Sequence, residues 1–151
     1  MSSTIIAVLG TLAGAVVAGL MQQLTTARAE RAAQAERRRQ ALVEAVPGLL
    51  AALVEYRGHQ YMRLRSLQEH VPETPEERKA RYASRGAVTH AMDRLYMATR
   101  DQALLDAAQA AMDTTFAFEP HDRTDDAVGE QAREAHSAFR LRAAVYVYDH
   151  R

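Results

Sequence analysis

The pattern of apolar and polar positions divides the chain into two parts. Residues 5–21 are almost all apolar, and no charged side chain occurs before Arg28. A helix satisfies its own backbone hydrogen bonds, and about 17–25 apolar residues are enough to cross a bilayer. The pattern therefore predicts one transmembrane helix at residues 4–24. A cleaved signal peptide and a buried helix are the alternatives, but the first lacks a basic start and the second is rarely apolar on every face.

The first arginines of the chain follow this apolar run within about 20 residues, a distance over which basic residues set membrane orientation. They are Arg28, Arg31, Arg37, Arg38 and Arg39. Their position predicts a single-pass protein of the plasma membrane with its N-terminus outside and its C-terminus in the cytoplasm. The arginines either contact anionic lipid headgroups or only fix the topology of a solvated stalk. Interleaved Glu30 and Glu36 and the lack of aromatic residues there argue against direct nucleic-acid binding.

Small residues recur every four positions within the apolar run, at Gly10, Gly14 and Ala18. Such a row lets two helix backbones approach closely, and packing of this kind drives helix association in lipid. The spacing predicts a homo-oligomer that associates through this face. The alternative is that glycine and alanine are simply common in membrane spans.

The rest of the chain shows the 3.6-residue apolar period of helices and no long alternation typical of strands. Residues 25–46 contain strong helix formers without glycine or proline, which predicts a basic helical stalk. Pro47 should bend or restart the helix. We therefore expect an all-α protein with a transmembrane anchor (1–24), a stalk (25–46) and a cytoplasmic antiparallel bundle of about four helices (47–151).

Local signals place the helix starts of this bundle. Thr74 precedes Pro75, and Glu77 occupies the third position of a capping box. Asp101 can cap a third helix that ends near Phe118, and a fourth helix opens at Thr124. The apolar positions predicted to face the core include Leu67, Val71 and Tyr96 among many others.

No arrangement of residues in the sequence is typical of catalysis or metal binding. None of the six histidines has a glutamate three residues earlier or a second histidine at zinc-binding spacing, and cysteine is absent. The formal net charge is zero, and the glycines after the apolar run stand alone rather than forming a phosphate-binding loop. We expect no cofactor, no metal and no enzymatic activity.

The segment STIIAVLGTLAGAVVAGLMQQLTTARAERAA, residues 3–33, resembles the small membrane-anchored KilB-type proteins of actinobacterial plasmids and integrative mobile elements. The resemblance is most specific over residues 4–31. It implies a role in the transfer or maintenance of a mobile element, with toxicity if expression is uncontrolled.

These observations favour a non-enzymatic bitopic membrane protein that oligomerises or docks a protein partner on its bundle, as an accessory to plasmid or mobile-element transfer. The alternative is a membrane-disrupting effector or toxin that acts through an oligomerised transmembrane helix. An enzyme of unrecognised type is a third hypothesis.

Overall fold

The computed structural model describes the backbone of residues 2–117 and 125–149, and the side chains of 21–23, 25–117 and 127–146. It contains four helices, α1 (Ser2–Gln68), α2 (Pro75–Ala98), α3 (Gln102–Ala117) and α4 (Asp125–Asp149). No strand occurs within the described ranges. The predicted all-helical class and the number of bundle helices are therefore confirmed.

The predicted membrane anchor is overturned. Among the residues that the structure describes, no helix is both long and apolar enough to cross a membrane. From Met21 onward the side chains of α1 are too polar, since Gln22, Gln23 and Thr25 precede the arginines. The side chains of residues 4–20, on which the prediction rested, lie outside the described residues. This finding corrects the transmembrane part of the fold class and the plasma-membrane localisation.

The chain divides into two compact units, Met1–Arg38 and Arg39–Arg151. The first contains the N-terminal part of α1, and the second contains the rest of α1 with the other three helices. The predicted boundaries at residues 24 and 46 stay predictions. Helix α1 passes through Pro47 without the predicted restart. The proline frees the carbonyl of Val43, whose half-exposed position allows water to replace the lost hydrogen bond.

The core of the second unit is built from one apolar face of each helix. Its large, completely buried side chains include Leu49, Leu53 and Tyr56 of α1, Val88 and Leu95 of α2, Leu104 of α3 and Phe139 of α4. Each such side chain contributes about 1.5–3 kcal/mol when it leaves water. The Tyr56 and Phe116 rings meet edge to face at 5.2 Å, which joins α1 to α3. The four helices therefore share one hydrophobic core.

Contacts between α1 and its neighbours fix the helix directions. A Cβ at Gly48 would lie 3.5 Å from Nη2 of Arg94, near the end of α2, whereas Arg63 pairs with Glu73, just before α2 begins. Residues later in α1 thus contact residues earlier in the sequence of α2 and its preceding connection. The two helices run antiparallel, as expected for neighbours joined by a short connection.

Candidate functional site

The connection between α1 and α2 is held at both ends by helix-terminal hydrogen bonds. At the end of α1, the Val71 N–H donates to the Ser66 carbonyl at 2.8 Å and the His70 N–H donates to the Leu67 carbonyl at 3.2 Å. His70 has a φ of 58°, the left-handed conformation that closes this type of helix end. The connection therefore has a defined path, which places Glu73 against both helices.

The start of α2 carries the predicted capping box. The Glu77 N–H donates to the Thr74 hydroxyl oxygen at 3.2 Å, and the Thr74 N–H donates to the Glu77 carboxylate at 2.8 Å. This confirms the prediction from Thr74, Pro75 and Glu77. Because Glu77 is used by the cap, Glu73 is the carboxylate left to face the arginines of the two helices.

Three arginines surround the Glu73 carboxylate, and the Glu73 side chain is only 9% exposed. The Arg81 Nε donates to Glu73 Oε1 at 3.0 Å. The Arg63 Nη1 lies 2.9 Å and the Arg78 Nε 3.5 Å from Oε2. The hydrogen bond from Arg81 and the charges of Arg81, Arg63 and Arg78 hold the pKa of Glu73 below its usual value, although burial opposes this shift.

Apolar side chains line the same depression. Leu67, Val71 and Tyr82 are exposed at its wall, together with Pro72, and the open cleft has a volume of about 470 Å³. The Arg81 guanidinium lies 5.0 Å from the centre of the Tyr82 ring, which fixes both groups by a cation–π contact. We call this region, lined by Arg63, Ser66, Leu67, Val71, Pro72, Glu73, Arg78, Arg81 and Tyr82, the corner cleft.

The charges of the corner cleft do not cancel, because three guanidinium groups share a single carboxylate. Arg63 and Arg81 are largely covered, whereas the Arg78 side chain is 59% exposed. Arg78 therefore presents hydrogen-bond donors to solvent beside an apolar wall. This arrangement can bind a carboxylate that is followed by an apolar group.

The sequence predicted other site residues. Arg28, Arg31, Arg37, Arg38 and Arg39 are all exposed along α1, and none of them lines the corner cleft. The side chains of Gly10, Gly14 and Ala18 lie outside the described residues. Lipid contact by the arginines stays a prediction. Helix association through the small residues also stays a prediction. No group of histidine and acidic side chains within the described ranges could hold a metal ion.

Sequence reasoning missed the corner cleft. A local signal was present, since Arg78 and Arg81 lie three residues apart in the first turns of α2 and Glu73 directly precedes the cap residue Thr74. The partner from α1, Arg63, is ten residues away from Glu73 along the chain. Their pairing depends on the path of the connection, which periodicity does not show.

These observations describe a helical protein with a charged and apolar surface cleft, and comparison with known sequences assigns it to a family. The family of the KilB plasmid transfer protein matches residues 43–147, so the chain belongs to this family. Protein KilB of Streptomyces lividans is 42% identical over 92 residues, which cover 59% of this chain and 59% of that protein. The match thus spans about three fifths of the length of the curated relative. No solved structure matches the chain.

The predicted resemblance to KilB-type proteins is confirmed, and the family is described as that of a plasmid transfer protein. The location of the match is different from the one expected. It covers the helical bundle from Val43, where only an Ala/Arg-rich helical pattern was expected to continue the resemblance, and not residues 4–31, where the resemblance was expected to be most specific. The corner cleft and all of the core except Leu42 lie inside the matched region.

Proposed function

We propose that this chain is a non-enzymatic accessory protein of plasmid transfer that binds a protein partner in the corner cleft. The observation that carries the proposal is the excess of three arginines over one carboxylate beside exposed Leu67, Val71 and Tyr82. KilB is a plasmid transfer family rather than a known enzyme family, which supports the non-enzymatic part.

The chemistry of the cleft defines the partner as an acidic protein segment with an apolar side chain beside its carboxylate. Arg78 can form a paired hydrogen bond with that carboxylate, because a guanidinium matches its planar geometry. The apolar side chain would cover the Tyr82 ring and Val71, both of which are exposed in the free protein. Glu73 would remain bound to Arg63 and Arg81 and hold them in position.

Charge reversal at Arg78 tests the proposal in cells. Arg78→Glu removes the exposed donor and repels an acidic partner, so we expect plasmid transfer from donor to recipient to fall by about tenfold or more. The matched control is Lys79→Glu, which makes the same charge change one residue away at an exposed position outside the cleft. Equal transfer by both variants would contradict the proposal.

A peptide titration tests the partner chemistry directly. The probe is an acetylated, amidated helical peptide that carries glutamates and leucines on one face, titrated into the full chain with isothermal calorimetry. We expect binding that is lost in Arg78→Glu and weakened in Tyr82→Ala. A peptide with lysines in place of the glutamates should not bind. Binding of both peptides, or of neither, would contradict an acidic partner.

A further inference from the structure

An exposed apolar stripe runs along the part of α1 that belongs to the second unit. It consists of Val43, Pro47, Leu50 and Val54, spaced four, three and four residues apart, and we call it the outer stripe. Residues at this spacing lie on one face of a helix. Val54 is 53% exposed and Val43 is nearly as exposed, whereas Leu50 packs partly against the core. The apolar residues on this face therefore have the spacing at which a second helix packs in a coiled coil.

Helix α4 borders the outer stripe on one side. The Arg57 Nη1 donates to the Ala132 carbonyl at 3.1 Å, and its Nη2 lies 3.4 Å from His136 Nδ1. The Arg133 Nη1 donates to the Tyr61 hydroxyl at 2.9 Å. Arg140 lies one turn beyond His136 on α4, and the charges of Arg57 and Arg140 both act on the His136 imidazole.

Acidic residues border the stripe on its other side. At about 100° per residue, Glu44 and Glu55 lie on the flank of the stripe away from Arg57 and α4. Both are exposed, as is Arg140. Within the described part of the chain, none of these three side chains forms an ion pair or a hydrogen bond. The apolar seam thus has an acidic edge and a basic edge whose Glu44, Glu55 and Arg140 side chains form no ion pair, with the Arg94 guanidinium beside Gly48 on the acidic side.

We propose that the occupant of the outer stripe is a second copy of this chain, with the two α1 helices side by side and parallel. In a parallel helix pair, the acidic edge of one seam faces the basic edge of the partner's seam. In an antiparallel pair, each edge faces the same edge of the partner. Parallel pairing therefore brings Glu55 of each copy near Arg140 of the other. Antiparallel pairing would place acidic edge against acidic edge, which is repulsive.

This association does not involve the predicted small-residue row, and it is independent of the corner cleft. The mass of the full chain, measured by light scattering during size-exclusion chromatography, should correspond to a dimer. Val54→Glu should give the monomer mass, because it places a charge in the seam of both copies. Leu141→Glu is the matched control, since Leu141 is 64% exposed on α4 away from α1, and this variant should remain dimeric.

Charge exchange tests the parallel arrangement. Glu55→Arg and Arg140→Glu should each weaken dimerisation about tenfold, and the double variant should restore it. In an antiparallel dimer, Glu55→Arg would instead strengthen association. The proposal would be overturned if the full chain were a monomer, or if Val54→Glu kept the dimer mass and a native circular dichroism spectrum. It would also be overturned if the double variant dimerised no better than the single variants.

Discussion

At the scale of single residues, Glu73 shows how one carboxylate organises a surface that carries an excess of positive charge. Replacing it by glutamine keeps the shape and removes the charge that Arg63 and Arg81 share. We expect Glu73→Gln to lower the free energy of unfolding in urea by about 1 kcal/mol at pH 7, since charge-assisted hydrogen bonds are lost at a site that is mostly covered.

The effect of Glu73 should depend on pH. The pKa of Glu73 is lowered in the folded state. Its contribution to the free energy of unfolding is therefore complete at a pH above the pKa that Glu73 has in the unfolded chain, and is lost as the pH falls towards its lower pKa in the folded chain. The difference between wild type and Glu73→Gln should therefore shrink on acidification from pH 7 to below pH 4. Glu134→Gln, at an exposed position of α4, is the control and should have little effect at any pH. A constant difference across this range would contradict the assignment.

Acidification should also destabilise the fold through His136, but in a higher pH range than through Glu73. Burial, together with the charges of Arg57 and Arg140, lowers the pKa of His136 in the folded state. The unfolded chain then binds the proton more readily, so stability should fall as the pH drops below about 6.5. His136→Gln should reduce the change in unfolding free energy between pH 7.5 and pH 5.5. His90→Gln, at an exposed position of α2, should leave that change as it is in the wild type.

At the scale of the helices, the end of α1 carries a residue in a conformation that suits glycine better. His70 has a φ of 58°, which costs a non-glycine residue about 1 kcal/mol or more. His70→Gly should therefore raise the unfolding free energy by about 1 kcal/mol. The same change at exposed His90, inside α2, should lower it by about 0.3 kcal/mol, since glycine has a lower helix propensity than histidine. Equal signs for the two substitutions, measured in urea, would show that the helix does not end at this turn.

Helix starts were predictable because their signals are local. Thr74 and Glu77 form the capping box within one turn, and the Leu104 N–H donates to Asp101 Oδ1 at 2.7 Å, as expected for a cap. Both interactions join residues three positions apart, so the sequence alone contains all the participants.

The predicted core positions were less reliable near the helix ends. Leu67, Val71 and Tyr96 follow the apolar spacing, yet all three are exposed. Spacing shows which face of a helix is apolar, but not how far the neighbouring helices extend along it. Where α1 continues beyond its packed region, its apolar face becomes the wall of the corner cleft. The candidate site therefore lies where apolar residues still follow the helical spacing but no neighbouring helix covers them.

At the scale of the whole molecule, the compact unit and the family match nearly coincide. The second unit begins at Arg39 and the match begins at Val43. The corner cleft and the outer stripe lie on different sides of α1 but depend on the same core. A substitution inside that core should therefore disturb both surfaces, whereas Arg78→Glu and Val54→Glu should each affect only one.

Phe139 and Leu141 of α4 allow this dependence to be tested two residues apart. Phe139 is 0% exposed and packs in the shared core, whereas Leu141 faces solvent. Phe139→Ala should lower the unfolding free energy by about 3–5 kcal/mol, because it removes buried apolar surface and leaves a cavity. Leu141→Ala should change it by no more than about 0.5 kcal/mol. Of the two, only Phe139→Ala should reduce both plasmid transfer and the dimer fraction in proportion to the loss of folded protein. If Phe139→Ala unfolded in urea like the wild type, Phe139 would not pack in the shared core.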